Sequence, residues 1–139
     1  MALRDSFDGV IGRTVAESTP SFPTPKHPGE NAPNVLVILL DDTGYSQFGC
    51  FGSTIDTPNI DRLAAGGLLY TNFHVTPLCS PTRAALLTGR NHHTVGMRSV
   101  SNFNTGFPHM RGHITNHAAT MAEVLRDEGY ATFAVGKWH

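Results

Sequence analysis

Along the first 33 residues no apolar period is visible. Pro, Ser, Thr and Gly dominate, and "STPSFPTPKHPGENAP" holds five prolines. This composition predicts an extended arm, partly polyproline II, lying before an ordered unit over residues 34–139. The pattern changes at "NVLVILLDD". Val35 to Leu40 is an unbroken apolar, β-branched-rich run, the signature of a strand buried on both faces of a parallel sheet. "DTPNIDRLAAGG" then predicts a helix. Thr57 is the N-cap, Pro58 fits N1, Asp61 suits the positive first turn, and Gly66 or Gly67 ends it. "LLYTNFHV", Leu68 to Val75, predicts a second strand, and "SPTRAALLTG" a second helix with Pro81 in its first turn and Gly89 at its end. Residues 91–117 read as irregular. "TMAEVLRDEG" predicts a helix over Met121 to Glu128 with Thr120 as N-cap and Gly129 at C′, and Tyr130 to Val135 a third strand.

Strand, helix, strand, helix, loop, helix, strand implies helices on both faces of a mostly parallel sheet, an α/β class. Ligands of such sheets gather at the carboxyl ends of strands. Asp41-Asp42, Cys79 and Lys137-Trp138-His139 all fall there, although they are distant in sequence.

Composition narrows the partners. With 40% hydrophobic and 15% charged residues the chain has a soluble globular composition, and its net charge of -1 offers no basic excess for nucleic acid or an anionic membrane. The longest apolar run, six residues, is too short to span a bilayer. Residues 1–33 lack an apolar h-region, so a cytoplasmic location is expected. Two cysteines, Cys50 and Cys79, exclude a disulfide scaffold and are expected as free thiols.

The chemistry rests on those three clusters. Adjacent carboxylates at a strand end repel unless a cation or a base neutralises them. Oxygen ligands alone suit Ca²⁺ or Mg²⁺ rather than zinc. The plainer reading of Asp41-Asp42 is a solvated acidic turn. Cys79 sits at a helix N-terminus, where an anion is stabilised, and Arg83 follows one turn later on the same face. The plainer reading, a buried structural cysteine, leaves Arg83 without an anionic partner. The spacing differs from the Cys-x5-Arg loop of cysteine phosphatases. Lys137 can clamp an oxyanion and His139 can protonate a leaving group near neutral pH. Extended geometry would put both side chains on one side of the chain and Trp138 on the other. His109, His113 and His117 are spaced four apart, but Gly112 and the lack of apolar periodicity argue for loop histidines, one or two of them lining a cleft. His92 and His93 are read as cleft or loop residues.

Taken together, "PLCSPTRAALLTG" resembles the Cys-x-Pro-x-Arg signature of type I sulfatases, "GYATFAVGKWH" resembles that family's second signature, and "NVLVILLDDTGY" its metal-binding first strand. The three motifs stand in the family's order over residues 34–139. The resemblance implies an alkaline-phosphatase-like fold, a three-layer α/β/α sandwich, here truncated after its first strands. It implies hydrolysis of a sulfate ester by the hydrate of a Cα-formylglycine made from Cys79 by a formylglycine-generating enzyme. It also implies metal ligation by Asp41, Asp42 and the Cys79-derived residue, with Ca²⁺ expected and Mg²⁺ or Mn²⁺ as alternatives. Arg83 would steady the diol, Lys137 contact the sulfate oxygens, and His139 hold a diol hydroxyl and assist elimination. Members also draw an Asp-Asn pair, a second histidine and a second lysine from later positions, so the 139 residues are expected to be an N-terminal part of a sulfatase, inactive alone. Competing expectations are a formylglycine-dependent phosphodiesterase or phosphonate monoester hydrolase, and a non-catalytic metal-binding fragment.

Overall fold

A computed structural model describes residues 7–139; the first six residues of the expected arm lie outside the described residues. Three α-helices carry the regular structure: α1 (Pro58–Gly66), α2 (Cys79–Thr88) and α3 (Met121–Asp127). The start of α3 and the end of α2 follow the signals in the sequence. In α3 the Thr120 side chain accepts from the Glu123 amide while the Glu123 carboxylate accepts from the Thr120 amide, a reciprocal cap that satisfies two otherwise orphan donors. α2 ends on Gly89 in the left-handed region, φ 63°, with its amide donating to the Ala85 carbonyl at 2.9 Å. α1 starts with Pro58 after Thr57, but the Thr57 hydroxyl does not cap the helix. It accepts from the Gly49 amide at 2.8 Å and donates to Asp61 at 2.9 Å, while Asp61 accepts from the Cys50 amide at 2.8 Å. The first turn of α1 is thereby fastened to the preceding loop.

The expected strands form no ladder. Among the described residues the β pairing is confined to two antiparallel bridges, Val10 with Thr19 and Met97 with Met110. The segments 35–40, 68–75 and 130–135 run without regular secondary structure and are solvent-facing: Leu36 is 83% exposed, Phe133 91% and Val135 100%. The expected burial of Val35 to Leu40 on both faces is therefore not seen. The reason is that a strand, unlike a helix, has no hydrogen-bond partners within itself. Its apolar faces are covered only when neighbouring strands and helices are in place.

The buried centre is small and sits beside α2. Ala84 of α2 packs with Val95 and Met97, and Ile114 and Ala118 close over them. Residues 95–98 fold back against 109–115 through the amides of Arg98, Arg111 and Thr115, which donate to His109, Gly96 and Val95 carbonyls at 2.8–3.1 Å. This irregular stretch is pulled tight at Gly112, whose φ is 70°. A Cβ there would lie 2.4 Å from the Ser101 carbonyl oxygen. The arm is held against the C-terminal end of α3. Lys26 Nζ donates to the Asp127 carbonyl and to Glu128 (3.3 Å), a cation at the negative end of α3. No helix among the described residues is long and apolar enough to cross a membrane.

Candidate active site

Three of the expected residues meet. Asp41 ends the 35–40 segment, Arg83 lies one turn into α2, and Lys137 follows the 130–135 segment. Lys137 Nζ pairs with Asp41 Oδ2 at 2.7 Å, Arg83 Nη2 lies 3.5 Å from Asp41 Oδ1, and Arg83 Nη1 donates to the Lys137 carbonyl at 2.7 Å. One carboxylate thus ties the ends of two distant segments to a helix. The Lys137 hydrogen bond, with help from both cations' charge, holds the Asp41 carboxyl below its ordinary value. The same bond raises the Lys137 ammonium above its ordinary value, and the field of Cys79 contributes in the same direction. Cys79, the first residue of α2, is therefore within electrostatic reach of Lys137; it is half-buried and free, as is Cys50.

Arg83 is positioned by the turn before it. The Thr76 and Thr82 hydroxyls lie 2.6 Å apart, so one donates to the other while the remaining hydrogen goes to the Leu78 or the Thr76 carbonyl, and the entry to α2 is closed on itself. The Arg83 Nε is buried with no hydrogen-bond partner. A guanidinium with a dry, unused N–H beside a helix N-terminus is suited to an anion.

His139 takes another partner, Ser80. The Ser80 hydroxyl lies 3.2 Å from His139 Nδ1 and accepts from the Ser101 amide at 3.1 Å. Ser80 escaped the reading of the sequence because it fills the unspecified position of Cys-x-Pro-x-Arg. A serine in the first turn of a helix is by itself ordinary, so its signal is its burial and its two partners. Arg83, Trp138, His139, Glu123 and His113 line a cleft of about 900 Å³, with the fully buried Ser80 behind its surface.

One expectation changes. Lys137 and His139 do not share a side opposite Trp138. Gly136 and His139 adopt left-handed backbone, φ 91° and 51°, which breaks the extended alternation and leaves Trp138 and His139 in the same cleft. Asp41, Asp42 and the residue derived from Cys79 are the expected part of a metal-ligand set whose other members come from later positions. Among the described residues no cluster of three or more His, Cys, Asp or Glu is arranged to hold a metal. Asp41 is neutralised by Lys137 and Arg83, the base alternative to a cation, while Asp42 turns into left-handed backbone, φ 49°. The donor chemistry still fits a hard cation, since Asp41 and Asp42 offer oxygens, but two carboxylates fall short of the six to eight oxygens Ca²⁺ takes.

The remaining histidines lie in loops. His109 Nδ1 bonds the His93 carbonyl and His92 Nδ1 the Met97 carbonyl, both at 2.9 Å, and the His92 and His93 rings stack edge to face. Desolvation, with the charges of His92, Arg98 and His109, lowers the His93 pKa.

The chain belongs to the sulfatase family: the Sulfatase family model matches residues 33–139. That family has an alkaline-phosphatase-like α/β fold and is generally formylglycine-dependent and metal-binding. The chain is 47% identical to human arylsulfatase A over 109 residues, covering 77% of this chain and 21% of the relative. It is 45% identical to human steryl-sulfatase over 112 residues (77% and 19%), and 42% identical to human N-acetylgalactosamine-6-sulfatase over 118 residues (77% and 22%). The chain therefore spans about a fifth of the length of the curated relatives it matches.

Proposed function

We propose that residues 34–139 are the nucleophile-bearing part of a sulfuric ester hydrolase whose catalytic unit is a three-layer α/β/α sandwich. The observation that carries this reading is the convergence of Arg83 and Lys137 on one carboxylate beside Cys79 at the start of α2. These residues make a locally positive pocket for a sulfate ester. Arg83 offers its spare Nε–H to an oxygen on the residue derived from Cys79. Lys137 moves its ammonium from Asp41 to a sulfate oxygen when substrate enters. Its raised pKa keeps it charged through neutral pH and above. His139 supplies a hydrogen bond to a hydroxyl oxygen on the residue derived from Cys79 and assists elimination.

Conversion of Cys79 to Cα-formylglycine, by a formylglycine-generating enzyme, supplies a hydrated aldehyde with one hydroxyl to attack sulfur and another through which sulfate is released. Asp41, Asp42 and the residue derived from Cys79 would hold Ca²⁺, or Mg²⁺ or Mn²⁺ in its place, which offsets charge on the sulfate. The rest of its coordination has to come from other residues of the whole protein or from water, so the 139 residues alone are expected to show no turnover.

The test has two parts. Mass spectrometry of the Cys79 peptide from the native host should show the mass loss of thiol-to-aldehyde conversion. An unmodified thiol throughout refutes the catalytic reading and favours a binding role. The whole protein, assayed in parallel on aryl sulfates and aryl phosphonate esters, should prefer the sulfate. The reverse preference identifies it instead as a formylglycine-dependent phosphodiesterase or phosphonate monoester hydrolase.

A further inference from the structure

We infer that Ser80 is a positioning residue that fixes the tautomer and orientation of His139; this rests on the sulfatase reading for its purpose but not for its geometry. Ser80 is wholly buried, in the first turn of α2, so its hydroxyl has no water to turn to. A serine hydroxyl has one hydrogen and two acceptor lone pairs. The Ser101 amide, 3.1 Å away, can only donate, and it takes one lone pair. The second neighbour is His139 Nδ1 at 3.2 Å.

Two arrangements are possible. If Nδ1 carried the hydrogen, Ser80 would accept twice and its own hydrogen would be buried with no acceptor among the described residues. Leaving a buried donor unmade costs about 1–3 kcal/mol. If Nδ1 is bare, Ser80 donates to it, every group is satisfied, and the ring hydrogen resides on Nε2. The second arrangement is favoured. His139 then offers Nε2–H as a donor, and its ring is tethered through Ser80 to the backbone at Ser101. The residue between Cys79 and Pro81 therefore aims the histidine while its neighbour on the amino side supplies the reacting carbon. A tautomer is set by the hydrogen bond at the other ring nitrogen, which is the role Ser80 plays here.

Long-range ¹H–¹⁵N correlation on histidine-labelled protein tests this, with His139 assigned by the signals lost in His139→Gln. His139 should show two well-separated ring-nitrogen shifts, those of a single fixed Nε2–H form. In Ser80→Ala the separation should shrink as the tautomers average, and Ser80→Thr, which keeps the hydroxyl, should restore it. In the whole protein, Ser80→Ala should lower kcat about tenfold with KM little changed. An Nδ1–H form in the unmodified sequence, or nitrogen shifts as averaged there as in Ser80→Ala, overturns the proposal. That spectrum is read without turnover, so an inactive protein with a fixed Nε2–H ring would refute the sulfatase reading and leave the Ser80 assignment standing.

Discussion

Replacing Gly112 with alanine tests how tightly the irregular 91–118 stretch is tied to the candidate site. Two penalties combine there. Gly112 has φ 70°, and an L-residue in left-handed backbone costs about 1–2 kcal/mol. The new Cβ would also lie 2.4 Å from the Ser101 carbonyl oxygen and 2.9 Å from that of Phe103, and contacts under 3.0 Å force a shift. The Ser101 backbone must retreat by at least roughly 0.6 Å, the gap between a 2.4 Å and a 3.0 Å contact. The Ser101 amide donates to Ser80 at 3.1 Å, so such a shift stretches that bond past useful length. Loss of a hydrogen bond that leaves a buried partner short costs about 1–3 kcal/mol, so the whole substitution should cost about 2–5 kcal/mol. Gly106 is the control. It lies in the same stretch with φ 81°, but nothing stands within 4 Å of its Cβ position. Gly106→Ala should therefore show the backbone penalty alone, about 1–2 kcal/mol. Urea unfolding of the two variants beside the parent measures the difference, and the His139 ring-nitrogen shifts report whether Ser80 has lost its backbone partner. Equal destabilisation by the two substitutions, with unchanged His139 shifts, would refute the close approach of 101 to 112.

Two further outcomes follow from the ion pairs and caps. Asp41→Asn removes the carboxylate that holds the Lys137 ammonium. The Lys137 pKa should fall toward its ordinary value, and amine acylation mapped by mass spectrometry should label Lys137 faster at alkaline pH than in the parent; unchanged labelling would contradict the 2.7 Å pair. For α3, the bonds from the Thr120 backbone and side chain hold the Glu123 carboxyl below its ordinary pKa. A depressed carboxylate contributes stability above its unfolded pKa and loses it as pH falls through the folded one, so the amide protection of α3 should be constant at neutral pH and decline on the acid side of the ordinary carboxylate range. Thr120→Ala should cost about 1 kcal/mol in α3 and flatten that decline, read by hydrogen exchange of the α3 amides.

The helices were legible because their determinants are local. Thr120 with Glu123, Pro58 after Thr57, and Gly89 after Thr88 each act within a turn, and α1, α2 and α3 start where those residues place them. Thr57 shows the limit of that logic. Its side chain serves Gly49 and Asp61, a choice made by a loop eight residues upstream that no helix pattern contains. The strands were not legible as observed because apolarity records what a segment must eventually cover, not whether its neighbours are beside it. In the site, Asp41, Arg83 and Lys137 converge although they stand 42 and 54 residues apart in sequence: Asp41 follows the 35–40 segment, Lys137 follows the 130–135 segment, and Arg83 lies one turn into α2 between them. Asp41 pairs with Lys137 and Arg83, and a carboxylate pair in a sequence is compatible with basic side chains and with a metal ion alike. Ser80 was missed because its role depends on being wholly buried between Ser101 and His139, which spacing does not encode.

The uncovered 35–40 segment also governs how these residues behave in solution. Val35 to Leu40 is six residues long, uncharged, free of Pro and Gly, and exposed along its length. Those are the attributes of a segment that stacks with copies of itself into dry cross-β interfaces. Charge arrives only at Asp41 and Asp42, at one end, where like charges stacked in register would repel. Asp41 is already neutralised by Lys137 and Arg83. The contact that joins Asp41 to Arg83 and Lys137 therefore also offsets one of the two charges that could act as gatekeepers against self-association.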